Sequence, residues 1–145
     1  MKNIIFACLV LTASFGLTAC EGNAQNTKAT ATANRVEVID FHSTHRCMTC
    51  NNIEQKAKAT LEKHFAKELE SGKLAFMTVN VDEKENAAMA ESFEAFGTAL
   101  FVHLNKGGQS QKVDLTDFAF MNANSKGTAF EDGLAKQVRE ALQQL

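Results

Sequence analysis

The sequence predicts a single α/β domain built as a three-layer sandwich, with a central mixed sheet of about four strands flanked by helices. Segments with strand and helix patterns follow one another in the order strand, helix, strand, helix, hairpin, helix. A right-handed crossover makes the first two strands parallel, and the hairpin adds antiparallel strands at the sheet edge. The length of 145 residues leaves room for one such domain and a targeting segment.

The first strand and the first helix are indicated by a change of pattern after residue 34. Residues 36–41 are mostly β-branched or aromatic and predict a strand, and a polar turn follows over residues 42–46. A helix then begins near Cys47 and ends near Ser71, because Gly72 supplies a stop. Its apolar residues recur at helical spacing and are Ile53, Ala57, Leu61, Phe65 and Leu69.

The second half of the domain alternates strand and helix patterns. Residues 74–81 predict a strand, and the Ala- and Glu-rich residues 83–96 predict a helix that Gly97 closes. The remaining predicted elements are a strand over residues 99–104, a hairpin turn over 105–108, a strand over 111–115 and an amphipathic helix over 130–142.

The N-terminus has the features of a bacterial export signal. Lys2 precedes an apolar run too short to span a membrane, and Leu17-Thr18-Ala19-Cys20 resembles the lipobox, in which the cysteine after the cut receives lipid. Residues 1–19 are therefore predicted as a lipoprotein signal peptide, and residues 20–34 as the lipidated Cys20 with a small, polar, flexible tether. The predicted domain, residues 35–145, would then be anchored by lipid to the cell envelope, in the periplasm or at the cell surface. The alternative is an ordinary secretion signal cut near Ala19.

The cysteine count leaves one disulfide for the mature protein. Cys8 lies in the discarded apolar run and Cys20 would be blocked by lipid, so Cys47 and Cys50 remain. Disulfides persist in exported proteins, and the redox state of this pair would depend on local partners.

The Cys47-Met48-Thr49-Cys50 motif falls where a turn gives way to a helix. The unpaired N–H groups and the dipole at a helix N-terminus stabilise a thiolate, and the neighbouring Arg46 adds a positive charge. Cys47 is therefore the expected nucleophile. A spacing of three residues lets Cys50 attack a mixed disulfide on Cys47, so Cys50 is the expected resolving thiol.

The chain resembles the thioredoxin superfamily over residues 36–145. The resemblance rests on Asp40-Phe41 before the turn, the cysteine pair at the helix start and the segment 97–107. More narrowly, the chain is similar to the ArsF family, an exported Bacteroidetes-type family catalogued as a nitrophenyl compound nitroreductase subunit. The matching motifs are Phe41-His42, Arg46-Cys47-x-x-Cys50, Ile53-Glu54 and Val79-Asn80-Val81-Asp82-Glu83. The partner this implies is another thiol/disulfide protein or a reductase subunit. Nothing in the sequence resembles a flavin- or nicotinamide-binding loop, so reduction of a nitro group would need such a partner.

Three departures from ordinary thioredoxins bear on mechanism. The chain has no proline, and Thr98, after Gly97, takes the position of the thioredoxin cis-proline. Arg46 replaces the usual aromatic residue, and the turn from Asp40 to Cys47 is one residue longer than in thioredoxin. For Asp40, two interpretations stay open: a proton relay to the resolving thiol, or a strand carboxylate satisfied by nearby groups.

Two histidines near the cysteine pair raise the question of a metal. His42, His45, Cys47 and Cys50 form an H-x-x-H-x-C-x-x-C cluster whose residue types suit zinc or copper. Zinc sites usually draw ligands from two separated pairs, so a redox-active disulfide without a further cofactor is the favoured prediction.

The leading hypothesis is a membrane-tethered thiol–disulfide oxidoreductase or electron-relay subunit. The alternatives are a metal- or metalloid-binding module that uses the same cysteines, and a redox-silent scaffold subunit. The net charge of −2, with both signs interspersed, excludes an electrostatic footprint for nucleic acid.

Overall fold

A computed structural model describes residues 34–145. The predicted signal peptide, the lipidation at Cys20 and all but the last residue of the tether lie outside these residues.

The centre of the domain is a four-stranded mixed sheet, as the sequence predicts. Its strands are β1 (Arg35–His42), β2 (Leu74–Asn80), β3 (Ala99–Lys106) and β4 (Gln109–Asp114), in the spatial order β2-β1-β3-β4. β1 is parallel to β2 and antiparallel to β3, and β3 is antiparallel to β4. The hairpin between β3 and β4 turns at Gly107 and Gly108, whose positive φ angles of 57° and 79° are readily adopted by glycine.

Helices cover the first face of the sheet and a shorter helical segment covers the second. The helices are α1 (Met48–His64), α2 (Ala66–Glu70), α3 (Ala87–Ser92), α4 (Thr116–Asn122) and α5 (Ala129–Leu142), with a 3₁₀ turn at Lys84–Asn86 before α3. Alternate residues of β1 enter the two cores: Val36 and Val38 pack under α1 and α5, whereas Ile39 and Phe41 pack under the α3 segment. The strand order and the layers on both sides of the sheet are those of the thioredoxin-like fold, which confirms the predicted fold class.

The predicted second helix is wrong in its extent. The α-helix ends at Ser92, and Glu94 has a φ of 54°, which helical backbone does not allow. Phe93 turns inward and packs against Phe41 and Phe101, with ring centroids 5.2 Å away in each case. Core packing therefore ends the helix before its Ala- and Glu-rich pattern does.

Two further differences concern the other helices. The predicted first helix is divided at Phe65, whose φ of −136° and ψ of 29° separate α1 from α2 while its side chain is buried. Helix α4 is absent from the sequence prediction, because seven residues are too few to show a clear helical period. Within residues 34–145, no helix combines the length and apolar character needed to cross a bilayer.

Candidate redox site

A disulfide joins Cys47 and Cys50 at the start of α1, with Cα atoms 5.2 Å apart. Cys47 is the N-cap residue with extended backbone, and its sulfur accepts a hydrogen bond from the backbone N–H of Cys50 at 3.2 Å. Cys47 is exposed, whereas only 7% of Cys50 is exposed. One sulfur is therefore open to a partner and the other is shielded, at a helix end that favours negative charge.

The side chain of Arg46 bridges two carboxylates beside the cysteine pair. Its Nη2 donates to Oδ2 of Asp40 at 2.8 Å, and its Nη1 donates to a carboxylate oxygen of Glu54. Glu54 lies on α1, four residues after Cys50, which is the spacing that brings helical side chains onto one face. Arg46 and Asp40 are site residues that the sequence predicts, whereas Glu54 is not among them. Its i, i+4 spacing from Cys50 was the available signal.

Asp40 is fully buried, and burial is the main cause that raises the pKa of its carboxyl from 3.8 to about 6. The positive charge of Arg46 acts in the opposite direction, and the carboxylate of Glu54 adds to the rise. The second carboxylate oxygen, Oδ1 of Asp40, and Nε of Arg46 are buried without a hydrogen-bond partner. The buried carboxylate thus keeps one free acceptor oxygen in the interior beneath the cysteine helix.

The turn before Cys47 is held by the loop after β2. The backbone N–H of Thr44 donates to Oδ2 of Asp82 at 2.7 Å, and Nδ2 of Asn80 donates to the hydroxyl of Thr44 at 3.1 Å. The hydrogen bond from the Thr44 backbone is the main cause that lowers the pKa of Asp82. The Asn80–Glu83 part of the sequence motif therefore braces the turn that precedes the nucleophile position.

A second brace comes from the loop between α4 and α5. Nδ2 of Asn124 donates to the hydroxyl of Thr49 at 2.9 Å, and Nδ2 of Asn52 donates to Oδ1 of Asn124, also at 2.9 Å. Lys56 donates to the carbonyl of Ser125 at 2.7 Å. These contacts join residues more than 65 positions apart, so no local pattern in the sequence predicted them.

The two histidines lie on the segment just before Cys47, since His42 ends β1 and His45 stands in the turn that follows. The ring of His42 is 3.0 Å from the carbonyl of Ser43, and His45 is exposed. Within residues 34–145, no three His, Cys, Asp or Glu side chains are gathered in a way that could hold a metal ion. Thr98 is half-buried and precedes Ala99, the first residue of β3.

Comparison with known proteins yields similarities of structure alone. No protein-family model matches the chain, and the search of curated proteins finds no significant match. A thioredoxin from Fasciola hepatica is 23% identical, with a TM-score of 0.44 over 74% of this chain and 82% of that chain. A thioredoxin from Thermus thermophilus is 19% identical, with a TM-score of 0.46 over 73% and 72% of the two chains. Mitochondrial thioredoxin 3 from Saccharomyces cerevisiae, in its oxidised form, is 21% identical, with a TM-score of 0.40 over 76% and 82%. Strand order and layering, rather than these values, define the fold, and the resemblance to the ArsF family stays a prediction.

Proposed function

We propose that this protein is an exported, membrane-tethered thiol–disulfide oxidoreductase or electron-relay subunit that cycles Cys47 and Cys50 between dithiol and disulfide. The observation that carries the proposal is the asymmetry of the pair. The exposed sulfur of Cys47 sits at the helix N-cap, and the shielded sulfur of Cys50 lies within bonding reach of it.

The chemistry in the reducing direction has two exchanges. The Cys47 thiolate attacks one sulfur of a partner disulfide, which forms a mixed disulfide and releases the other partner sulfur as a thiolate. The Cys50 thiolate then attacks the sulfur of Cys47, which restores the Cys47–Cys50 disulfide and releases the second partner sulfur. Two electrons pass to the partner, which also takes up two protons. The oxidising direction is the reverse, and a second thiol/disulfide protein closes the cycle.

The supporting residues act on this pair through position and charge. The buried Asp40 is the proposed acceptor for the proton that leaves the Cys50 thiol, since its Oδ1 has no partner. Arg46 holds Asp40 in place through the other carboxylate oxygen. Thr98, before β3, is proposed to line the surface on which the partner's disulfide docks.

The partner and the location follow from the sequence predictions. A lipid on Cys20 would hold the domain at the envelope, where another thiol/disulfide protein or a reductase subunit would exchange electrons with it. The nitroreductase assignment of the ArsF family fits this proposal only through such a subunit.

A redox titration against glutathione tests the proposal. The oxidised and reduced forms of the purified protein are resolved by mass after thiol alkylation, and bound metal is assayed on the same samples. We expect a reversible two-electron transition without stoichiometric metal. A pair that glutathione cannot reduce would favour the scaffold alternative, and stoichiometric metal would favour the metal-binding alternative; either result contradicts the relay.

A pair of matched variants identifies the nucleophile. Cys50→Ser is expected to accumulate a mixed disulfide with a small disulfide substrate, because the attacking thiol remains and the resolving thiol is gone. Cys47→Ser is expected to react far more slowly, because its remaining sulfur is shielded. The opposite ranking would reverse the assigned roles.

A further inference from the structure

A second row of reactive side chains crosses the sheet on the face opposite α1 and α5. It consists of Glu37 on β1, His103 on β3 and Ser110 on β4. Glu37 lies directly opposite His103 in the β1–β3 register. Ser110 lies opposite Asn105, two residues from His103 and on the same face of β3. Strand pairing alone therefore aligns a carboxylate, an imidazole and a hydroxyl.

The three side chains are joined by two hydrogen bonds of 2.8 Å. One joins Nδ1 of His103 to Oε2 of Glu37, and the other joins Nε2 of His103 to the hydroxyl of Ser110. A carboxylate only accepts, so Nδ1–H donates to Glu37. In the neutral ring, Nε2 is then the acceptor, and the hydroxyl of Ser110 donates its proton to it.

Glu37 and His103 are held in this geometry by their surroundings. Nε of Arg35 donates to Oε1 of Glu37 at 2.7 Å, and the ring of Phe93 lies edge-on to the imidazole at 5.1 Å. Burial raises the pKa of Glu37, but the hydrogen bonds from His103 and Arg35 outweigh it and hold the pKa below its ordinary value. The carboxylate is thus charged and directed at the imidazole.

Ser110, in contrast, is exposed on the edge strand β4. The backbone N–H of Leu115 donates to the carbonyl of Leu100, so odd-numbered residues of β4 bond to β3. In an antiparallel ladder the alternate residues turn their N–H groups away from the paired strand. The N–H of Ser110 therefore points to the open edge, where it can donate to a carbonyl oxygen beside its own hydroxyl.

We propose that Ser110 is the nucleophile of a second site, with His103 as its general base, which takes acyl groups from small activated esters. Glu37 and Arg35 are positioning residues for His103. A serine hydroxyl is activated when it is hydrogen-bonded to an imidazole that a carboxylate orients from the other side. This site shares no residue with the cysteine pair and does not depend on the redox proposal.

The reaction would proceed through an acyl-serine. The hydroxyl oxygen of Ser110 attacks the ester carbonyl while its proton passes to Nε2 of His103. The C–O bond to the leaving alcohol then breaks, and the alcohol takes that proton. Water, deprotonated by His103, cleaves the acyl-serine and restores the hydroxyl, so the sum is ester plus water to acid plus alcohol.

The test is labelling of the purified protein with a fluorophosphonate, followed by intact mass and peptide mapping. Labelling forms a bond from the serine oxygen to phosphorus and releases fluoride. The Cys47–Cys50 disulfide is kept intact so that no thiol competes. We expect one adduct per chain, on Ser110. We also expect the protein to release p-nitrophenol from p-nitrophenyl acetate, and the variants that reduce labelling should reduce this release as well.

Three variants and one control decide the outcome. Ser110→Ala is expected to abolish the adduct, and His103→Gln to slow labelling by about 100-fold or more. Glu37→Gln is expected to move the midpoint of the pH–rate profile to lower pH, because the imidazolium loses its counter-ion; a purely structural Glu37 would leave that midpoint unchanged. Ser71→Ala, which removes an exposed hydroxyl that donates to the Glu68 carbonyl, is expected to label as the wild type does.

Three outcomes would overturn the proposal. They are the absence of an adduct, an adduct on a residue other than Ser110, and a labelling rate that His103→Gln leaves unchanged. If a His103 variant fails to fold by circular dichroism, the wild-type pH–rate profile decides, because a general base requires a rate that rises through a single ionisation. A Cys47→Ser/Cys50→Ser double variant that labels normally but has no redox transition separates this site from the thiol function.

Discussion

Replacing Asp40 by Asn is expected to change how stability depends on pH. The side chain is fully buried, and its pKa rises from 3.8 to about 6 on folding. A folded-state pKa above the unfolded value means that the folded protein binds this proton more tightly. Ionisation of Asp40 therefore destabilises the fold: the effect is absent below pH 3.8, grows between 3.8 and 6, and is complete above about 6.

A rise of about two pH units corresponds to about 3 kcal/mol. Asn keeps the size of the side chain and an oxygen that can accept from Arg46, but it cannot ionise. The free energy of unfolding of Asp40→Asn minus that of the wild type should therefore increase by about 2 to 3 kcal/mol from pH 4 to pH 8.

The assay is urea unfolding followed by circular dichroism at pH values from 4 to 8, with the disulfide intact. Glu37→Gln is the control of opposite sign. The folded-state pKa of Glu37 is lowered, so its charge stabilises the fold above its unfolded pKa, and that contribution is lost as pH falls. Parallel pH curves for the wild type and Asp40→Asn would refute the reasoning, because they would mean that Asp40 ionises equally in both states.

Three further outcomes follow from packing and charge. Glu54→Gln removes a negative charge near Asp40, so the pH midpoint at which ionisation of Asp40 lowers stability should move below about 6. Arg46→Gln removes the positive charge and should move that midpoint higher. Shifts of both variants in the same direction would contradict the charge bridge. Phe93→Ala leaves a cavity in the core under α3 and should lower the free energy of unfolding by about 3 to 5 kcal/mol in urea melts. A loss below about 1 kcal/mol would mean that neighbouring side chains fill the cavity. Gly108→Ala places a residue with a Cβ atom at a φ of 79° and should lower the free energy of unfolding by about 1 to 2 kcal/mol in the same assay. An unchanged urea midpoint would contradict this turn geometry.

Most of the sheet could be predicted because its signals are local. The segment of β1 is rich in β-branched and aromatic residues, β3 is a mostly apolar run, and the Gly107-Gly108 pair marks the hairpin between β3 and β4. Helix boundaries were predicted less well. Residues 93–96 continue a helical composition, but Phe93 gains more by packing against two phenylalanines than the helix gains from another turn, and the backbone reverses at Glu94. This competition between core packing and helix extension depends on residues distant in the sequence, so the local pattern does not predict it.

The sequence by itself determined the order of the elements and the place of Cys47 and Cys50 at a helix start. Each depends on neighbours a few positions apart, where composition and periodicity act directly. Only the tertiary structure decided that Arg46 joins Asp40 to Glu54, and that Glu37 and Ser110 share one imidazole. These contacts depend on the register of paired strands and on the packing of α1 against the sheet, which are set by the burial of the whole core.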